Sequence, residues 1–149
     1  MNYSVKIKEK WKALPICGSD EFLKSTENVK GVEGADWIWG YFYTRNLLRK
    51  NFILSGEIKK ATAHFICDNS FDIYFNKVEA ANDVKEFNAD ITEFLKVGEN
   101  SVSLRAFQTN DESYFSSAIC GEVVIETENG IQRVVTNDDW LHFHPVNFG

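Results

Sequence analysis

Between Ile58 and Cys67 the chain alternates, with Ala61, Ala63, Phe65 and Cys67 at every second position and Thr62, His64 and Ile66 between them. A two-residue period sends successive side chains to opposite faces of an extended backbone, so this run predicts a half-buried β-strand. Asp68-Asn69-Ser70 has the composition of a turn. Beyond it Phe71, Ile73 and Phe75 share one face, with Asp72, Tyr74 and Asn76 on the other, and the two runs read as a hairpin. Val102, Leu104 and Ala106 alternate in the same way, as do Ile119, Val123 and Ile125, which lead through an Asn129-Gly130 turn into a second hairpin. One short segment reads as helix: Asp90 caps a run in which Ile91, Phe94 and Leu95 share a face, and Gly98 stops it. The stretch "YSVKIKEKW" alternates like a strand, while the remainder up to Gly34 gives no clear pattern. Short strands separated by polar turns, without repeats or Pro-rich linkers, predict an all-β antiparallel sandwich rather than a parallel α/β sheet.

A chain of 149 residues can bury a core without staples. Its 16 basic and 22 acidic residues leave a net charge of -6, a field that opposes phosphate backbones and anionic lipid, so neither nucleic acid nor membrane is an expected partner. The lysines near the N-terminus are followed by no apolar run of signal-peptide length, and the expected location is cytoplasmic. Cys17, Cys67 and Cys120 are odd in number with no close pair, which fits reduced, buried thiols better than a disulfide framework or a zinc site.

In chain order the segments "ADWIW" (35–39), "LRKNFIL" (48–54), "IKKATAHFICDNSFDIYFN" (58–76), "DITEFLKVGEN" (90–100) and "TNDDW" (136–140) form a pattern that resembles the galactose-binding-like sandwich near the N-terminus of bacterial α-L-rhamnosidases. The resemblance implies a jelly-roll sandwich over 35–149, with 1–34 as an extension packed on it. It also implies a non-catalytic accessory role beside a separate catalytic domain that removes terminal α-L-rhamnose. Two positions depart from the pattern. An expected Asn-Gly turn is Asn76-Lys77, and an expected Asp-Asp pair is Asp68-Asn69, one formal charge lighter. Lys resists the positive φ that Gly accepts, so a different turn type is expected at Lys77. No cofactor is expected, and structural calcium at the Asp68 turn is the one metal left open.

Glycoside hydrolysis normally uses two carboxylates held roughly 5–10 Å apart across the sugar. Asp138-Asp139 and Asp111-Glu112 are adjacent pairs, and neighbours along a strand point to opposite faces, so neither reads as an acid/base couple and no catalytic residue is assigned. His142 and His144 share a face but lack a third ligand, which makes a surface role the better reading. Trp37 and Trp39 read as framework. Sugars are held by aromatic faces and by polar side chains that bond hydroxyls. The candidate carbohydrate-binding residues are Asp68 and Asn69, Asn76 and Lys77, and Asn110, Asp111 and Tyr114 of the loop "QTNDESYFSS", on loops expected to meet at one end of the sandwich. The partner is then a rhamnose-containing glycan or the catalytic domain of the same polypeptide. The alternative is a structural module that packs on neighbouring domains without touching sugar.

Overall fold

The protein is described by a computed structural model over residues 4–6, 32–36, 38, 45–107 and 119–143. Within these residues there are eight strands: β1 (Ser4–Lys6), β2 (Arg45–Leu54), β3 (Ile58–Phe75), β4 (Val78–Asp90), β5 (Gly98–Phe107), β6 (Ile119–Thr127), β7 (Gly130–Val135) and β8 (Leu141–Phe143). All pairings are antiparallel, in the order β1-β8-β2-β5-β3-β6-β7 with β4 on β3, an all-β sandwich as the alternation implies. No helix among the described residues is long and apolar enough to cross a membrane. Within the expected extension 1–34, β1 pairs with β8 and so joins the sheet.

The spine is β3, and it corrects the first hairpin expected from sequence. Asp68-Asn69-Ser70 is not a turn; the backbone runs through it as one 18-residue strand. Up to Cys67 β3 pairs with β6, and from Ser70 onward it pairs with β5, so the three residues mark the place where one strand passes from one layer to the other. β4 accompanies both parts, with register shifts between Ile66 and Phe71. The physical reason lies in parity. Ala61 to Cys67 and Phe71 to Phe75 all occupy odd positions, so a continuous extended chain keeps both apolar sets on the face that is buried. The hairpin partner of β3 is instead β4, across Asn76-Lys77. β4 itself is polar and largely exposed, as suits an edge strand that must not recruit further strands.

The expected helix after Asp90 is also reduced, to a single 3-10 turn at Thr92–Phe94. Asp90 does organise it, its Oδ1 accepting from the Thr92 N–H at 2.9 Å and from the Thr92 hydroxyl at 2.7 Å. Elongation is prevented because the segment is tied to β3: Ile91 N donates to the Ala61 carbonyl at 2.8 Å, and Ala61 N donates to Thr92 Oγ1 at 2.9 Å. The β6–β7 hairpin forms, but its loop is Glu128-Asn129 rather than the expected Asn129-Gly130: Gly130, at φ 122°, already pairs with Thr127 as the first residue of β7. Inside the sandwich, Phe65 stands edge-on to Trp140 with centroids 6.2 Å apart, both fully buried. The Trp140 indole donates to the Val135 carbonyl at 2.8 Å, so its one polar atom is satisfied. Cys67 and Cys120 are buried, and burial pushes the Cys120 thiol up.

Candidate functional site

The Asn76-Lys77 turn has positive φ at both residues, 50° and 69°. This is the geometry that suits a two-residue β-hairpin, and it is kept here although Lys stands where Gly would be cheaper, so the expected change of turn type does not occur. Asn76 supplies the reason. Its backbone N–H donates to the Ser101 carbonyl at 2.9 Å, its Oδ1 accepts from Ser101 N at 2.9 Å, and its Nδ2 donates to the Phe94 carbonyl at 2.8 Å and to Asn100 Oδ1 at 2.9 Å. Asn100 completes the clamp. Its Oδ1 also accepts from Lys96 N at 3.0 Å, and its Nδ2 donates to the carbonyls of Lys96 and Gly98. Both amides are committed to the framework, and together they fix the backbone that carries Lys77 and Lys96.

Around this clamp lies an open groove of about 500 Å³. Strand register explains who lines it. Asn51 pairs with Ser101 and Ile53 with Glu99, so these outward residues of β2 and β5 form adjacent rows, and Lys77 and Lys96 complete the lining. Arg49 stands in the next row, its Nε donating to Ser103 Oγ at 3.1 Å. That same row contains Tyr74, paired with Ser103, a partly exposed aromatic on the same outer face of the sheet but outside the groove's lining. Burial, with Asp72 and Glu79 beside it, pushes the Tyr74 hydroxyl up. One row further, Asp72 is 1% exposed although it points away from Phe71 and Ile73. Its carboxylate sits 3.2 Å from Arg105 Nε and accepts the Asp83 N–H at 2.8 Å, which holds Asp83 at φ 51° in β4.

The seven candidate residues read from sequence do not all fall together. Asn76 and Lys77 are at the groove. Asp68 and Asn69 are at the opposite end of the second part of β3, roughly 25 Å away at about 3.3 Å per extended residue, next to the end of β5 where Ser70 pairs with Phe107. Asn110, Asp111 and Tyr114, like Trp37, Trp39 and His144, lie outside the described residues. Arg49, Asn51, Tyr74, Lys96 and Ser101 were not singled out from sequence. The alternation of "LRKNFIL" and "SVSLRA" marks their outward parity, but only register brings them side by side. Asp139 N donates to Asn137 Oδ1 in an exposed turn. Among the described residues there is no group of three His, Cys, Asp or Glu side chains that could hold a metal ion.

No protein-family model matches the sequence, and no curated protein matches it. Solved structures do. The sandwich shares its fold with a segment of α-L-rhamnosidases. That of Streptomyces avermitilis, complexed with L-rhamnose, matches with a TM-score of 0.64 at 18% identity, over 74% of this chain and 12% of the other. The enzyme from Dictyoglumus thermophilum matches with a TM-score of 0.60 at 18% identity, over 68% and 14%. A lectin from Pleurotus ostreatus in complex with GalNAc matches with a TM-score of 0.58 at 16% identity, over 72% and 34%. The chain thus spans about an eighth of the rhamnosidases it resembles, and at these identities the likeness is one of fold.

Proposed function

We propose that this chain is a non-catalytic accessory sandwich of an α-L-rhamnosidase-type glycoside hydrolase, and that it holds a sugar in the groove beside the Asn76-Lys77 turn. The observation that carries the reading is the groove itself, an open, polar concavity on the outer face of a sandwich whose fold recurs in rhamnosidases and in a lectin. Asn51, Ser101 and Lys77 offer hydrogen bonds to hydroxyls, and Tyr74 offers a ring face one row away. The Asp68-Asn69 end is the second candidate location, together with Asn110, Asp111 and Tyr114. In the groove an exposed site gains little net energy per hydrogen bond, about 1 kcal/mol, so a monosaccharide should bind with a Kd of roughly 0.1–10 mM. Titration with L-rhamnose, followed by amide NMR shifts, tests this: shifts at Lys77 and Lys96 support it, and their absence at tens of millimolar sugar refutes it. A chromogenic aryl α-L-rhamnoside should release no aglycone.

A second reading, a module that packs on a neighbouring domain, is favoured by Ile53 and Ile131, which are 67% and 73% exposed. Ile53 stands on the outer face of β2, between buried Phe52 and Leu54, and Ile131 on the outer face of β7, opposite in parity to buried Val134. On that reading the partner is the catalytic domain of the same polypeptide.

A further inference from the structure

The groove departs from the charge of the protein around it. The chain as a whole is -6, yet the groove is bordered by Arg49, Lys77 and Lys96 against the single carboxylate of Glu99. Lys77 and Lys96 are exposed and make no ion pair within the described residues, so their ammonium groups face solvent at the groove mouth. Both are also held in place by backbone rather than by chance. Asn100 bonds both the N–H and the carbonyl of Lys96, and Lys77 sits at φ 69°, a conformation that favours Gly or Asn. A long cationic side chain kept at such a position is where function is to be sought. The polar floor adds no negative charge, because Asn76 and Asn100 are neutral and their amides are taken up by one bond to each other and by backbone groups of Phe94, Lys96, Gly98 and Ser101.

Resting on the sugar-binding reading above, we infer that the groove prefers an acidic sugar, a hexuronate whose carboxylate lies between Lys77 and Lys96 while its ring hydroxyls meet Asn51 and Ser101. A volume of about 500 Å³ is in the range of small-ligand sites. Ion pairs this exposed are individually weak, so the carboxylate should tighten binding by roughly three- to tenfold over the matching neutral sugar, and added salt should erase that margin.

The test uses the full chain, labelled with ¹⁵N and titrated separately with D-galacturonate, D-galactose and acetate. D-Galacturonate is expected to shift the amides of Lys77 and Lys96 with a Kd three- to tenfold below that of D-galactose, with acetate much weaker. The double substitution Lys77→Asn and Lys96→Gln, which keeps a residue tolerant of positive φ in the turn, should equalise the two sugars while leaving the dispersed spectrum of a folded chain. Equal affinities for both sugars in the parent would overturn the acidic preference and leave the sugar site standing. Acetate binding as tightly as galacturonate would reduce the groove to an anion site and overturn it too. No shift with either sugar at tens of millimolar would overturn both readings.

Discussion

Phe65 and Gly121 face each other across β3 and β6, and the pair offers a quantitative test of register. Phe65 is fully buried against Trp140, so Phe65→Ala should cost about 4–5 kcal/mol, the upper part of the usual range for losing a core ring because an edge-to-face contact goes with it. At Gly121 a methyl group would overlap Phe65 Cδ1 and come 2.5 Å from Phe65 Cγ and from the His64 carbonyl oxygen, well inside the normal approach of about 3.5 Å. Gly121→Ala should therefore cost about 3 kcal/mol, the full overpacking penalty, since a backbone oxygen cannot swing away. In the Phe65→Ala background two of those three contacts vanish, and the same substitution should cost only about 1–2 kcal/mol. The expected coupling is thus about 1–2 kcal/mol, above the few tenths by which independent sites depart from additivity. Urea melts of the parent, both single variants and the double variant measure it. Additivity within about 0.5 kcal/mol, or a Phe65→Ala penalty below about 1 kcal/mol, would show that these residues do not oppose each other in the core.

Asn100→Ala removes partners from Asn76 Nδ2, Lys96 N–H and two carbonyls, and should lower stability by about 2–3 kcal/mol in the same melts. Lys77→Gly relieves a positive φ and should stabilise by up to about 1 kcal/mol while weakening binding of D-galacturonate, so that the melting temperature and the affinity move in opposite senses. The bonds from the Thr92 N–H and hydroxyl hold the Asp90 carboxyl below the usual carboxylate range. A depressed folded-state pKa gives stability that is present above the unfolded value near 4 and is lost as the pH falls through the lower folded value. Asp90→Asn should accordingly lower stability near neutrality and flatten the acid limb, so that the two stability profiles converge as the pH falls below about 4.

The fold was legible where one residue's face decides its burial. Ala61 to Cys67, Phe71 to Phe75, Val102 to Ala106 and Val123 to Ile125 all lie in strands with the expected inner face. The passage of β3 between layers was not, because Asp68-Asn69-Ser70 carries the composition of a turn and only tertiary pairing with β6 and then β5 keeps it extended. β4 left little trace, since an edge strand that packs so few apolar residues has little alternation to show. The candidate site was legible only at Asn76 and Lys77, where turn residues declare themselves locally. Arg49 and Asn51 lie far in sequence from Lys96 and Ser101, and it is the β2–β5 pairing that brings the two segments round one groove.

Ser101 lies on the outer face at the middle of that groove, small and facing Asn51 across the strand pair, so Ser101→Trp should fill it without disturbing the buried side of β5. Amide NMR titration of the parent with L-rhamnose should move Lys77 and Lys96 with a Kd of roughly 0.1–10 mM, and in Ser101→Trp those shifts should disappear while the rest of the spectrum stays that of the folded sandwich. Unchanged L-rhamnose binding in Ser101→Trp, or shifts centred on Asp68 and Asn69 in place of the groove, would contradict sugar binding beside the Asn76-Lys77 turn.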